Sequence, residues 1–236
     1  MKPVSTLALI PAKGASTRLP RKNLLRLGGA TLTARAVACA FAAGGFADVV
    51  VTTEDAEIAA EARRAGASVP FLRPSRLAVD PAGVVDVALH ALDELEARGK
   101  TFDTVAILLP TSPFRTPDDV RAAFARYVEK DVDFLMSVCS YSHTPLAALA
   151  CDADGLLTPF LPEWLGRLGA ASTSAIPHLV RSNGAIQICN VARLRAERDY
   201  YAYPLAAYEM PWERSVDIDT EADVRLAEFL MERATP

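Results

Sequence analysis

The chain has no long hydrophobic run, no patterned cysteines and no acidic residue in its first 47 positions, and each shortage narrows what it can be. The apolar stretch from Val4 to Ala12 is much too short to cross a bilayer. It also lacks the longer apolar core and cleavage site of a secretory leader, so a cytoplasmic protein with no membrane partner is expected. Cys39, Cys139, Cys151 and Cys189 are scattered. None forms a C-x-x-C pair or stands near a histidine at zinc spacing, so buried thiols are expected rather than a metal site or a nucleophile. The patterns G-x-x-x-x-G-K-[ST] and G-x-G-x-x-G are both missing, which argues against a P-loop ATPase and a dinucleotide-dependent dehydrogenase.

The missing acids leave a basic N-terminal segment. Residues 1–47 hold seven bases, and the remaining 189 residues hold 18 bases and 29 acids, for a net charge of −4 overall. Local positive potential on an acidic protein fits a small polyanion better than a nucleic-acid duplex. With 236 residues, 51% of them hydrophobic, the chain can bury a full core, and one domain over residues 1–236 accounts for the length.

Short β-rich runs at 7–11, 48–53, 68–72, 104–109 and 134–138 alternate with helix-patterned stretches at 31–43, 55–65, 84–98 and 118–129. That order predicts an α/β fold with a mostly parallel sheet and helices on both faces. Residues 141–177 break the pattern with Pro145, Pro159, Pro162 and Pro177 and a turn at 152–155, and they read as an inserted hairpin or arm. Further strands at 184–189 and around 204–210 precede a terminal helix from Glu221 to about Arg233.

The segment Lys13-Gly-Ala-Ser-Thr-Arg-Leu-Pro-Arg-Lys-Asn23 follows the first strand, at the carboxyl edge where open α/β sheets bind ligands. Gly14 allows close backbone approach, Ser16 and Thr17 offer hydroxyls, and Lys13, Arg18, Arg21 and Lys22 call for a counter-charge. A nucleoside triphosphate would supply it. Near the other end of the chain, Asp217 and Asp219 stand two apart. In an extended segment both would project to one side, where they could share magnesium; alternatively Asp219 or Thr220 caps the helix that follows.

Ile10-Pro-Ala-Lys-Gly-Ala-Ser-Thr-Arg-Leu-Pro-Arg-Lys-Asn23 resembles the signature of the acylneuraminate (sugar-acid) cytidylyltransferases. Thr52-Thr-Glu-Asp55, Pro70-Phe-Leu-Arg-Pro74, Leu109-Pro-Thr-Ser-Pro-Phe-Arg115, Arg181-Ser-Asn-Gly-Ala-Ile186 and Asp217-Ile-Asp-Thr220 follow in that family's order. The resemblance implies a Rossmann-like nucleotidyltransferase fold and a homodimer in which the arm at 141–177 packs on the partner. It also implies transfer of CMP from CTP to a 2-keto sugar acid of sialic, pseudaminic or legionaminic type, with Mg2+. Lys13, Gly14, Ser16, Arg18 and Lys22 would hold the triphosphate, Asn23 the ribose and Arg73 the cytosine. Arg181, Leu109 and Thr111 would border the acceptor, and Asp217 and Asp219 would ligate the metal beside Lys22.

The departures concern the substrate. Leu109 stands where the family commonly has Gln, Pro81-Ala-Gly-Val84 replaces a Thr/Ser pair, and Lys13, Ala15 and Thr17 replace Arg, Gly and a cation. These changes keep open a different acceptor, such as a 3-deoxy-octulosonate, a phosphonate or a polyol phosphate, and a non-catalytic sugar-nucleotide sensor.

Overall fold

The computed structural model describes residues 5–164 and 177–234. Its frame is a six-stranded sheet. The strands are β1 (Thr6–Pro11), β4 (Asp48–Thr52), β5 (Thr104–Ile107), β6 (Phe134–Ser140), β9 (Val180–Asn190) and β10 (Leu205–Glu209), in the order β10-β6-β9-β5-β1-β4. All neighbouring pairs run parallel except those of β9, which is antiparallel to β5 and β6. The chain enters β9 on its return from the excursion, at the carboxyl edge, so β9 runs down the sheet and brings Arg181 to the same edge as the ends of β1, β4 and β5.

Alternation within β1 shows why both faces need helices. Leu7 and Leu9 enter one apolar cluster with Ala88, Leu92 and Leu95 of α3 (Val84–Glu96); Ala8 and Ile10 enter another with Ala36, Val37 and Ala40 of α1 (Leu32–Ala43). The second cluster also takes in Ile58 of α2 (Ala56–Arg64) and Val120 of α4 (Pro117–Lys130). A strand buried on both faces reads as an unbroken apolar run, as β1 does.

Helix starts follow from local chemistry. The Thr31 side chain accepts the amide of Ala34, Asp55 accepts those of Glu57 and Ile58, and Thr116 forms a capping box with Asp119 ahead of Pro117. The terminal helix α6 (Glu221–Ala234) begins the same way: Asp223 accepts from the Thr220 amide at 2.7 Å and its hydroxyl at 2.8 Å.

Two expectations need correction. Cys151 is exposed, unlike the buried Cys39, Cys139 and Cys189. Residues 68–72 are not a strand and make one bridge, Ser68 to Val50, because Pro70 and Pro74 withhold N–H donors beside the sheet edge. A short helix α5 (Val191–Glu197), started by Asn190, carries Val191 and Leu194 into the core. The arm, where described, is a hairpin of β7 (Leu149–Cys151) and β8 (Leu157–Pro159); residues 165–176 of the predicted arm lie outside the described residues. The remaining strands, β2 (Arg26–Leu27) and β3 (Ala30–Thr31), form a small ribbon.

Candidate active site

The phosphate loop leaves β1 beside the end of β4, with the Ala12 amide still donating to Thr52 O at 3.0 Å. Gly14 is required here by space. A Cβ on it would come within 2.5 Å of Asp55 Oδ2. The loop therefore lies flat on residues 54–55, and the Gly14 amide donates to Glu54 Oε1 at 2.6 Å. Asn23 is buried, its Nδ2 donating to Lys13 O at 2.8 Å, while its Oδ1 lacks a partner at the cavity wall.

The loop cations do not wait for a ligand to balance them, contrary to the expectation from sequence. Arg21, with a left-handed backbone (φ 55°), reaches Asp55 and Glu57. Lys22 Nζ and Arg18 Nη2 each sit 2.6 Å from a different oxygen of Asp219. Among the described loop residues, Lys13 is the cation with no acidic partner, and it faces the cavity.

Asp219 does not cap the terminal helix; Thr220 and Asp223 do, and the Asp219 carboxylate is left to the loop. Alternation explains the pair. Ile218 is fully buried with Leu19 of the loop, Leu27 and Ala227, and its amide donates to Thr111 O at 2.8 Å. With Ile218 anchored inward, Asp217 and Asp219 both turn towards the cleft. Solvent reaches Asp217 from the cleft, but protein surrounds it on its other sides. That desolvation raises its pKa above the usual carboxylate value; a Thr111 hydrogen bond and Lys22 oppose the rise, and Asp219 and Asp223 add to it.

Two cavities meet at these carboxylates. The first, about 220 Å³, runs from Lys13, Lys22 and Asn23 to Arg73, with an apolar wall that includes Leu77, Val84 and Leu109; Thr111 lines it too. Arg73 is 4% exposed, its Nε and Nη2 held by Glu54 at 3.1 and 2.8 Å. Burial lowers its pKa, and Glu54 opposes the fall. The second cavity, about 390 Å³, lies across Asp217 and Asp219 and is bounded by Arg18, Arg181 and Trp212. Arg18 thus belongs to the second cavity and Ser16 lines neither, so the structure gathers Lys13, Lys22, Asn23, Arg73, Leu109 and Thr111 on one side and Arg18 and Arg181 on the other.

Several supporting residues carried no role in the sequence reading. Arg115, fully buried, donates to Leu109 O and Ala185 O and ties the Leu109–Thr111 turn to β9. Asn183 bonds Ser137 and Ser215, which leads into Asp217. Asp119 accepts from both Thr116 and Tyr208 and from Arg214 Nε and Nη2 at 3.0 and 2.8 Å. His90 stacks edge-on against Phe71 and is structural, and burial pushes the Cys189 thiol up to about 12. His178, at the end of the excursion, pairs with Glu209 at 2.9 Å.

A Rossmann-like α/β sheet with a cationic loop after β1 and two carboxylates across a cleft defines a nucleotidyltransferase. The chain belongs to the cytidylyltransferase family, whose model matches residues 7–215, and it is therefore a cytidylyltransferase enzyme. It is 33% identical to the CMP-N,N'-diacetyllegionaminic acid synthase of Legionella pneumophila over 229 residues, 96% of each chain. It is 26% identical to the pseudaminic acid cytidylyltransferase of Campylobacter jejuni over 228 residues, again 96% of each. Its fold matches a CMP:2-keto-3-deoxy-manno-octonic acid synthetase complexed with CTP, with a TM-score of 0.71, 16% identity, and 98% and 99% of the two chains covered.

Proposed function

We propose that this enzyme joins CMP from CTP to the anomeric hydroxyl of a 2-keto nonulosonic acid and releases pyrophosphate, acting as a single domain. The observation that carries this reading is the meeting of two cavities at Asp217 and Asp219, one lined by Lys13, Lys22 and Arg73 and the other by Arg18 and Arg181. A nucleotide in the first, with its α-phosphorus at the boundary, receives in-line attack by an acceptor in the second. The hydroxyl oxygen of the sugar bonds to the α-phosphorus as its proton passes to water, the α–β bridge breaks, and pyrophosphate leaves with the bridging oxygen. The enzyme's work is placement and charge neutralisation.

Lys13 and Lys22 neutralise the phosphates. Lys22 leaves Asp219 to do so, which frees a carboxylate oxygen as the polyanion arrives. Gly14 gives the loop its close path, and Asn23 offers its unpaired Oδ1 to a ribose hydroxyl. Arg181 and Arg18 hold the acceptor's carboxylate, with Arg18 passing from Asp219 to a ligand anion.

The residues fit magnesium. Two hard oxygen donors turn to one cleft, and desolvation, with Asp219 and Asp223 adding to it, raises the Asp217 pKa, which a bound cation would offset. Among the described residues no group of three His, Cys, Asp or Glu could form a cage, and magnesium bound with phosphates and water needs none. When bound there, it would neutralise charge on the reacting phosphates.

An acceptor bearing acetamido groups, as the legionaminic relative's name gives, suits the apolar side chains Trp212 and Leu226 of the second cavity. Leu156, Leu157 and Phe160 of the hairpin are 60–70% exposed, which supports a homodimer buried through the arm. No described helix is long and apolar enough to cross a membrane. The deciding experiment supplies the four triphosphates with magnesium and a panel of legionaminic, pseudaminic, N-acetylneuraminic and 3-deoxy-octulosonic acids, then measures pyrophosphate and the CMP conjugate by mass spectrometry. Turnover with CTP and a nonulosonate is expected; conjugate formation only with 3-deoxy-octulosonate would reject the acceptor class.

A further inference from the structure

Glu54 stands just beyond β4 with its side chain 12% exposed and its two oxygens divided between two parts of the cleft. Oε1 accepts the Gly14 amide at 2.6 Å and the Ala15 amide at 3.4 Å, both in the phosphate loop. Oε2 accepts Nε and Nη2 of Arg73, which closes the far end of the same cavity. Arg73 Nη1 also donates to Thr52 O at 3.4 Å, so three of the guanidinium's five N–H donors are committed.

Charge and geometry then separate the jobs of the cations. A buried guanidinium matched by a carboxylate 2.8 Å away is a poor competitor for phosphate, but it keeps two donors in a fixed plane. Cytosine presents adjacent acceptors at O2 and N3. Uracil presents an N–H at N3, which sets donor against donor. A fixed pair of donors therefore rejects uracil, whereas a loose one accepts either base through O2 alone.

We propose that Glu54 is a positioning residue that makes base selection and phosphate-loop placement one unit, by holding Arg73 with one oxygen and Gly14 with the other. The proposal rests on the reading of the first cavity as the CTP site. Gln is the informative substitution, because its amide has one acceptor oxygen and one NH2. It can serve one side and must oppose donors on the other.

The test compares kcat/KM for CTP and UTP in the wild type, Glu54→Gln, Glu54→Asp, Arg73→Met and the Glu54→Gln/Arg73→Met double variant, with circular dichroism to confirm folding. Glu54→Gln should lower the CTP-to-UTP preference by about tenfold or more and leave the acceptor KM unchanged. Glu54→Asp, which keeps the charge, should recover part of the preference. In the Arg73→Met background, Glu54→Gln should lower it no further. A folded Glu54→Gln enzyme with the wild-type preference would overturn the proposal alone, as would a fall equally large without Arg73. Wild-type enzyme with no preference for CTP would overturn the cytidylyl reading and this proposal with it.

Discussion

The two cavities on either side of Asp217 and Asp219 are built from different material. In the first, Asn23 and Arg73 are 2% and 4% exposed and the Lys22 side chain 11%, each held by a residue from a neighbouring element. In the second, the Arg18 side chain is 66% exposed, Trp212 is 44% exposed, and Arg181 sits on the open lip of β9. On the proposed assignment, the difference teaches that the nucleotide half is preorganised and the acceptor half is open. Preorganised donors cost nothing to order at the moment of reaction, while open ones must be fixed by the substrate or by a second subunit.

The strongest way to break this comparison is at the shared carboxylates. Asp219→Asn removes a charge that both halves use while nearly keeping shape, so kcat should fall by about 10²–10³-fold. Rising magnesium should recover part of the loss. Because Thr220 and Asp223 make the helix cap, the stability cost should stay near 1 kcal/mol, from the weakened pairing of Lys22. Pyrophosphate release over a magnesium series, with thermal melts alongside, checks both; near wild-type turnover at every magnesium level would remove Asp219 from the metal site.

Arg181→Met tests the second half alone. The acceptor KM should rise about tenfold or more, since an arginine–carboxylate pair is lost. CTP affinity by calorimetry should not move, and a parallel loss of CTP binding would merge the two cavities into one site. A smaller effect is expected from Leu157→Ser/Phe160→Ser. Light scattering should show the homodimer giving way to monomer, with a several-fold rise in acceptor KM and CTP binding intact. A dimer that survives these changes would place the interface elsewhere.

Legibility in the sequence follows the same divide. Alternating apolar runs revealed the sheet and its covering helices, and most residues that turn to the first cavity sit in contiguous motifs after β1, before α6 and around Arg73. What the sequence hid were partnerships between distant segments. Asp219 with Lys22 spans 197 positions and Arg214 with Asp119 spans 95, and no local pattern announces either. Arg18 was read with the triphosphate because its neighbours point there; its pairing with Asp219 carries it to the other cavity. Glu54 lay in a quoted motif, and the adjacency of β1 and β4 ends was the signal that could have drawn it in.

The smallest effect expected on catalysis is the most telling about architecture, and it concerns Asp119. This carboxylate, 1% exposed, joins the start of α4 to Arg214, three residues before Asp217, so it sets the segment that divides the two cavities without touching either. Burial works to raise its pKa, but Arg214, Thr116 and Tyr208 outweigh burial and hold it below the usual value. A carboxyl depressed in the folded state stabilises the protein fully above its unfolded pKa of about 3.9 and loses that contribution as pH falls through the lower folded value. Asp119→Asn cannot titrate and removes the charge from Arg214, so it should cost about 2 kcal/mol at pH 7, less than a fully buried pair because the Arg214 side chain remains 39% exposed. The gap in melting temperature between wild type and variant should then narrow as pH falls below about 3.9, and the difference between the two curves isolates Asp119 from other acids with lowered pKa, such as Asp55 and Glu61. At pH 7 and a temperature where both are folded, kcat should fall only a few-fold, with CTP and acceptor KM nearly equal to wild type, because the chemistry-bearing groups remain and only their placement loosens. A gap that stays constant with pH would show that the Asp119 carboxyl contributes shape rather than charge.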